Sequence, residues 1–167
     1  MPTAANGYFN KDGGRLPSVT TILGRFKESG ALMKWAYTTG REHGNLEARG
    51  LPCPQSLYEV SGKAADIGTA AHAMVEAHIK GENPKAVLSY LALNDEDRAR
   101  AESSFNSYLN WASMSKLEVI EQEMPMTSET YQFAGTPDAI GKVNGELCLV
   151  DWKTSNAVYA DYLIQIA

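Results

Sequence analysis

Along this chain of 167 residues, apolar and polar positions alternate most clearly near the C-terminal end. Ala134 to Val143 and Glu146 to Trp152 read as two strands joined by Asn144-Gly145, a dipeptide that favours a tight hairpin turn. Successive side chains of a strand point to opposite faces. Leu147, Leu149, Asp151 and Lys153 therefore share one face, and Cys148, Val150 and Trp152 the other. A further strand is expected over Leu117 to Met126, with Val119, Glu121 and Glu123 on one face.

Elsewhere the period is helical. Ser18 caps a short helix carrying Val19, Ile22, Leu23 and Phe26, and Gly30 separates it from a helix over Ala31 to Glu42. Asp66 to Lys80 is a helix ended by Gly81, with His72, Glu76 and Ile79 along one face. Asn94 to Ser113 is amphipathic, started by Asn94 or Asp95, and its stripe of Ala101, Phe105, Tyr108, Leu109 and Ala112 reads as core. A last helix is expected from Ala157, capped by Thr154-Ser155-Asn156 and burying Tyr159, Tyr162, Leu163 and Ile166. Tyr8 to Arg15 is polar and Gly-rich, which predicts a mobile lead-in, and the prolines around Cys53 place Leu51 to Gln55 in a loop.

Helices and strands together predict an α/β chain of the mixed α+β kind. Its length suits one domain over 1–167, with a helical and loop part over 1–60 and a core over 61–167. A content of 44% hydrophobic and 21% charged residues is that of soluble globular material. No stretch approaches the roughly 20 apolar residues of a membrane span, and the start lacks the layout of a signal peptide. Cys53 and Cys148 stand too far apart in sequence for a CxxC metal site and are too few for a disulfide framework. A cytoplasmic protein is expected. The net charge of −5 argues mildly against a nucleic-acid partner, although a metal-dependent site itself concentrates carboxylates. Arg25, Lys27, Lys34 and Arg41 read as a solvated face or as a wall along a DNA backbone.

The hairpin carries the chemistry. Asp151 and Lys153 at the end of an apolar strand are costly to bury unless paired or bound. Asp138, after Gly135-Thr136-Pro137, can bring a second carboxylate beside Asp151. Two adjacent carboxylates repel unless a cation lies between them, and hard oxygen ligands suit Mg²⁺ or Mn²⁺. Lys153 would then orient a water or steady charge building up on a phosphate.

Asp138 followed by Asp151-Trp152-Lys153 resembles the core of the PD-(D/E)xK nucleases, with Pro137-Asp138 matching the literal PD. The Gly135-Thr136-Pro137-Asp138 and Asp151-Trp152-Lys153-Thr154 wording is similar to the RecB-like exonuclease branch of phages and bacteria, over about Gly68 to the end. The resemblance implies a restriction-endonuclease-like core, a central mixed sheet flanked by helices. It implies a metal-dependent DNA exonuclease of recombination or repair, with DNA as substrate and a single-strand-annealing or recombination protein as partner.

Residue by residue, it implies that Asp138, Asp151 and the backbone carbonyl of Trp152 hold Mg²⁺ or Mn²⁺. Gly68-Thr69-Ala70-Ala71-His72 resembles the family's GxxxH motif, which makes His72 a further ligand; His72 by itself reads as a surface or core-edge residue, as do His43 and His78. The family's glutamate on the preceding strand fits Glu123, and a slip of two residues would exchange it for Glu121. Gln165 matches the first residue of a QxxxY motif and would orient Lys153 or a DNA end. The motif's tyrosine and later strands have no counterpart before Ala167, so a C-terminally truncated chain is expected. Iron–sulfur relatives use four cysteines, and no cluster is expected here. Two rival readings are a silent nuclease-fold module that binds DNA or protein, and a plain surface ion pair at a strand end, contributing about 0–1 kcal/mol.

Overall fold

A computed structural model of the chain describes residues 7–26, 30–53, 56–155 and 157–167. The fold is mixed α/β, with helices and small antiparallel sheets, and the chain divides into two compact units. The first comprises residues up to Lys27 together with Asn106–Ala167, and the second Glu28–Phe105. No described helix is long and apolar enough to cross a membrane.

The first unit begins with a hairpin where a lead-in without regular structure was expected. β1 (Tyr8–Phe9) pairs with β2 (Arg15–Leu16), and Tyr8 and Leu16 are buried while Phe9 and Arg15 face outward. Asn10 closes the turn, its Oδ1 accepting from the amides of Asp12 and Gly14. The polar composition belongs to the turn, and two alternating flanks suffice to bury Tyr8 and Leu16. α1 (Val19–Phe26) follows, with Ser18 Oγ accepting from the Thr21 amide as an N-cap.

Three strands form the sheet beneath the candidate site: β3 (Glu118–Gln122), β6 (Ala139–Val143) and β7 (Glu146–Val150), in the order β3-β6-β7. A smaller pair joins β4 (Met126–Ser128) to β5 (Phe133–Gly135). Both long strands expected from the sequence are thus broken. Pro137 has no N–H to give a ladder, so the run from Ala134 to Val143 changes sheets at Thr136-Pro137-Asp138. The run from Leu117 to Met126 breaks at Glu123, whose φ of 50° is not that of a strand. The mixed sheet expected from the resemblance is, among the described residues, an antiparallel one: β6 pairs with β7 across a two-residue turn and with β3 across the excursion that carries β4 and β5. The parallel element described is a single bridge, Ser18 with Ala134.

The hairpin between β6 and β7 matches expectation. Asn144 (φ 51°) and Gly145 (φ 88°) both take left-handed conformations, as a two-residue turn of this type requires. Cys148 and Val150 turn inward with Ala139 and Gly141, leaving Leu147 70% and Leu149 42% exposed. In β3 a bulge at Ile120 sets Val119 against Gly141 but Glu121 against Ile140, so Val119 and Glu121 fall on opposite faces rather than on one. Gly141 makes this approach possible, since a Cβ there would come 2.7 Å from the Glu118 carbonyl oxygen. α6 (Ala160–Ile166) begins three residues later than expected, at Ala160, with Tyr159 at the cap position making no side-chain cap bond; the proposed cap residue Asn156 lies outside the described residues. Its less exposed side is Asp161, Tyr162 and Gln165, whereas Tyr159, Leu163 and Ile166 are exposed.

The second unit is helical. α2 (Gly30–Ala48) and α3 (Leu57–Ile79) are both longer than their periodic cores suggest. α3 starts at the Ser56 cap, whose hydroxyl accepts from the Glu59 amide, and continues across residue 60, where the sequence reading sets its internal boundary. It buries Ile67, Ala70, Ala71, Met74, Val75 and Ala77. α4 (Pro84–Val87) and a 3₁₀ turn (Leu88–Tyr90) lead to α5 (Asp95–Met114), whose residues up to Phe105 belong to this unit. Asn94 is the α5 cap: its Oδ1 accepts from the Asp97 amide and its Nδ2 donates to the buried Asp97 carboxylate. The basic residues Arg25, Lys34 and Arg41 are exposed, and Lys27 lies outside the described residues.

Candidate active site

The site lies at the open end of the β6–β7 hairpin. Ala139 pairs with Val150 at that end, and continuing the register by one residue sets Asp138 opposite Asp151. The register of β3 against β6, continued likewise from Gln122 and Ala139, sets Glu123 beside Asp138. The Glu123 amide donates to the Asp138 carbonyl at 3.3 Å. Both positions are corners where the chain leaves one sheet for another, and the backbones of Glu123, Asp138 and Asp151 are neighbours there.

Both aspartate carboxylates are held by donors. Asp138 Oδ2 accepts from the Trp152 amide at 2.5 Å, so the first carboxylate is aimed by the strand that carries the second. Asp151 Oδ2 pairs with Lys153 Nζ at 2.5 Å, and Asp151 Oδ1 accepts from Gln165 Nε2 at 3.2 Å. The Asp151 side chain retains 10% of its exposure and that of Lys153 31%. A carboxylate this enclosed requires its partners, unlike the solvated ion pair that the plainest reading of the sequence supposes.

Two aromatic groups set the backbone and the lysine. On the inward face, the Trp152 ring meets Tyr108 at 5.0 Å and Trp111 at 5.7 Å, both edge to face, both from the last turns of α5. Burial raises the Tyr108 hydroxyl above its ordinary range, keeping it protonated beside the indole. On the outward face, Lys153 Nζ stands 5.2 Å from the centre of the Tyr162 ring, a cation–π contact. α6 thus supplies both Tyr162, toward Lys153, and Gln165, toward Asp151.

Asp138, Asp151, Lys153, Trp152 and Gln165 are therefore brought together, with Glu123 joined to them through its backbone. Glu121 sits two positions along β3 beside Ile140 and is exposed. His72 stands on α3 in the helical unit, half-buried beside the helix's buried stripe, and His78 packs edge to face on Phe105 in the same unit. Sequence reasoning passed over Tyr8, whose hydroxyl bonds Thr136 Oγ1 at 2.8 Å, and Tyr162, read as core. For Tyr8 the signal was present: a two-sided alternation around Asn10 to Gly14, with glycines where a turn needs them.

The donor chemistry bears on metal binding. Mg²⁺ is ordinarily held by one or two carboxylates, with water and phosphate oxygens completing its shell, and the pair Asp138 and Asp151 fits that requirement. Among the described residues, no group of three or more His, Cys, Asp or Glu side chains is arranged to hold a metal ion. No protein-family model matches the chain, and no curated protein matches it.

Proposed function

We propose that the chain is a Mg²⁺- or Mn²⁺-dependent deoxyribonuclease with a restriction-endonuclease-like core, acting on DNA ends as an exonuclease. One observation carries the reading: Asp138 and Asp151 flank the last pair of the hairpin ladder, Ala139 with Val150, with Asp138 accepting from the Trp152 amide and Lys153 on Asp151. Asp138, Asp151 and the Trp152 carbonyl are the groups that would hold the metal. When bound, the metal supplies an acidified water and neutralises charge at the phosphorus. Lys153 offers an ammonium to the negative charge of the phosphate in the transition state. Asp151 and the Tyr162 ring keep that ammonium in place, and Gln165 keeps Asp151 from turning. Glu123 would orient the attacking water. The resemblance adds His72 as a ligand and a recombination protein as partner; DNA as substrate rests on the resemblance as well.

A second reading is a silent nuclease-fold module that binds DNA or protein. Degradation of end-labelled linear DNA separates the two. The nuclease consumes the linear substrate with Mg²⁺ or Mn²⁺, spares a closed circle, and loses activity at least about a hundredfold with Asp151→Ala. DNA binding without metal-dependent loss of the label, in a well-folded preparation, decides for the silent module.

A further inference from the structure

The corner that presents Asp138 is held from far away in the sequence. Tyr8, 6% exposed, packs with Leu16 and Ala134 and directs its hydroxyl to Thr136 Oγ1 at 2.8 Å. Beside this bond, the Ala134 amide donates to the Pro17 carbonyl at 3.0 Å, and Ser18 bridges Ala134. Gly135 lies so close to α1 that a Cβ there would come 3.2 Å from Val19 Cγ2. Between Thr136 and Asp138 stands only Pro137, whose ring fixes φ near about −65°. A chain so short and so stiff passes the position of Thr136 on to Asp138.

We propose that Tyr8 is a positioning residue for the Asp138 carboxylate, acting through Thr136 and the Pro137 link. Its hydroxyl lines up the Asp138 side chain with the Trp152 amide, at the 2.5 Å separation seen here. The N-terminal hairpin is then part of the site's frame rather than an appendage. The importance of this for metal uptake rests on the proposed nuclease reading; the effect on Asp138 itself does not.

Two near-isosteric changes test it, Tyr8→Phe and Thr136→Val, singly and together. Each removes one hydroxyl and keeps the packed shape. Amide hydrogen exchange is followed by NMR at Trp152, whose N–H reports the Asp138 contact, and at Asn144, whose N–H donates to the Ser115 carbonyl at 2.7 Å at the far end of the hairpin. Loss of one hydrogen bond predicts about fivefold faster exchange at Trp152 in either single variant, with no further gain in the double and no change at Asn144. Mn²⁺ titration by electron paramagnetic resonance, in the same variants, should show weaker binding by a comparable factor. Unchanged exchange at Trp152, an equal rise at Asn144, or effects that add in the double variant would each overturn the positioning role. A wild-type chain that takes up no Mn²⁺ sinks the nuclease reading instead, and the exchange at Trp152 still decides the role of Tyr8.

Discussion

The β6–β7 hairpin has two ends that are built in different ways. At the turn, Asn144 and Gly145 take the positive φ values the geometry demands, and two adjacent residues set the turn, with the Asn144 amide tied to the Ser115 carbonyl. At the open end, the same strands stop and the chain turns polar, and the order there is imposed from elsewhere. Tyr8 holds Thr136, Tyr108 and Trp111 hold Trp152, and Tyr162 and Gln165 hold Lys153 and Asp151. A local turn can be encoded locally. A cluster of charges at a strand end cannot, because its desolvation must be offset by groups that the neighbouring residues do not supply.

The largest expected effect tests whether the open end is chemical or merely ionic. On the proposed nuclease reading, Lys153→Ala should lower metal-dependent DNA cleavage by about 10²–10³-fold, the usual cost of a lost transition-state donor. Its melting temperature should fall by several degrees without loss of the fold, because Asp151 loses its ammonium partner while Gln165 still donates to it. Calorimetry beside the cleavage assay reads both. Loss of folding with proportionate loss of cleavage would make Lys153 a structural counter-ion and erase the contrast between the two ends.

That contrast also explains what could be read before the structure. The hairpin, its turn and the inward set Cys148, Val150 and Trp152 follow from period and from Asn-Gly, and so does the meeting of Asp138 with Asp151. The break at Pro137 could have been read from the proline, which cannot donate to a ladder, whereas the break at Glu123 has no such marker and only the pairing partners reveal that switch. The bulge at Ile120 escaped for the same reason: one inserted residue reverses the faces of Val119 and Glu121 without altering composition. For α6, amphipathic spacing pointed to Tyr159, Tyr162, Leu163 and Ile166 as its inner side. Tyr162 does turn inward, but with Gln165 and through contacts to the site, while Tyr159, Leu163 and Ile166 are exposed.

An intermediate effect is expected where the two kinds of order meet. Trp152 belongs by alternation to the inward face, yet its ring is held by α5 and its amide aims Asp138. Trp152→Ala keeps the amide and removes the ring, so it should cost roughly 2–3 kcal/mol of stability for a half-buried aromatic with two edge-to-face partners. Urea denaturation measures this. Trp152→Phe should recover about half of the loss. If both variants unfold like wild type, the contact with Tyr108 and Trp111 contributes nothing, and the open end needs no support from α5.

The smallest effect belongs to the turn. Gly145 has φ 88°, and a Cβ added there meets no atom within 4 Å, so Gly145→Ala is penalised by backbone conformation and not by crowding. The cost should be about 1 kcal/mol. It contrasts with Gly141, where a Cβ would press on the Glu118 carbonyl oxygen at 2.7 Å and force the strands apart. In urea the Gly145→Ala midpoint should fall with an unchanged slope, the sign of a stability change without a change in the surface exposed. The amide of Trp152, at the other end of the hairpin, should then keep its local protection, and the metal requirement for cleavage should not move. Should the metal requirement rise, strain at the turn would be reaching Asp138 and Asp151 along five residue pairs of the β6–β7 ladder, and the two ends would be one cooperative element rather than two.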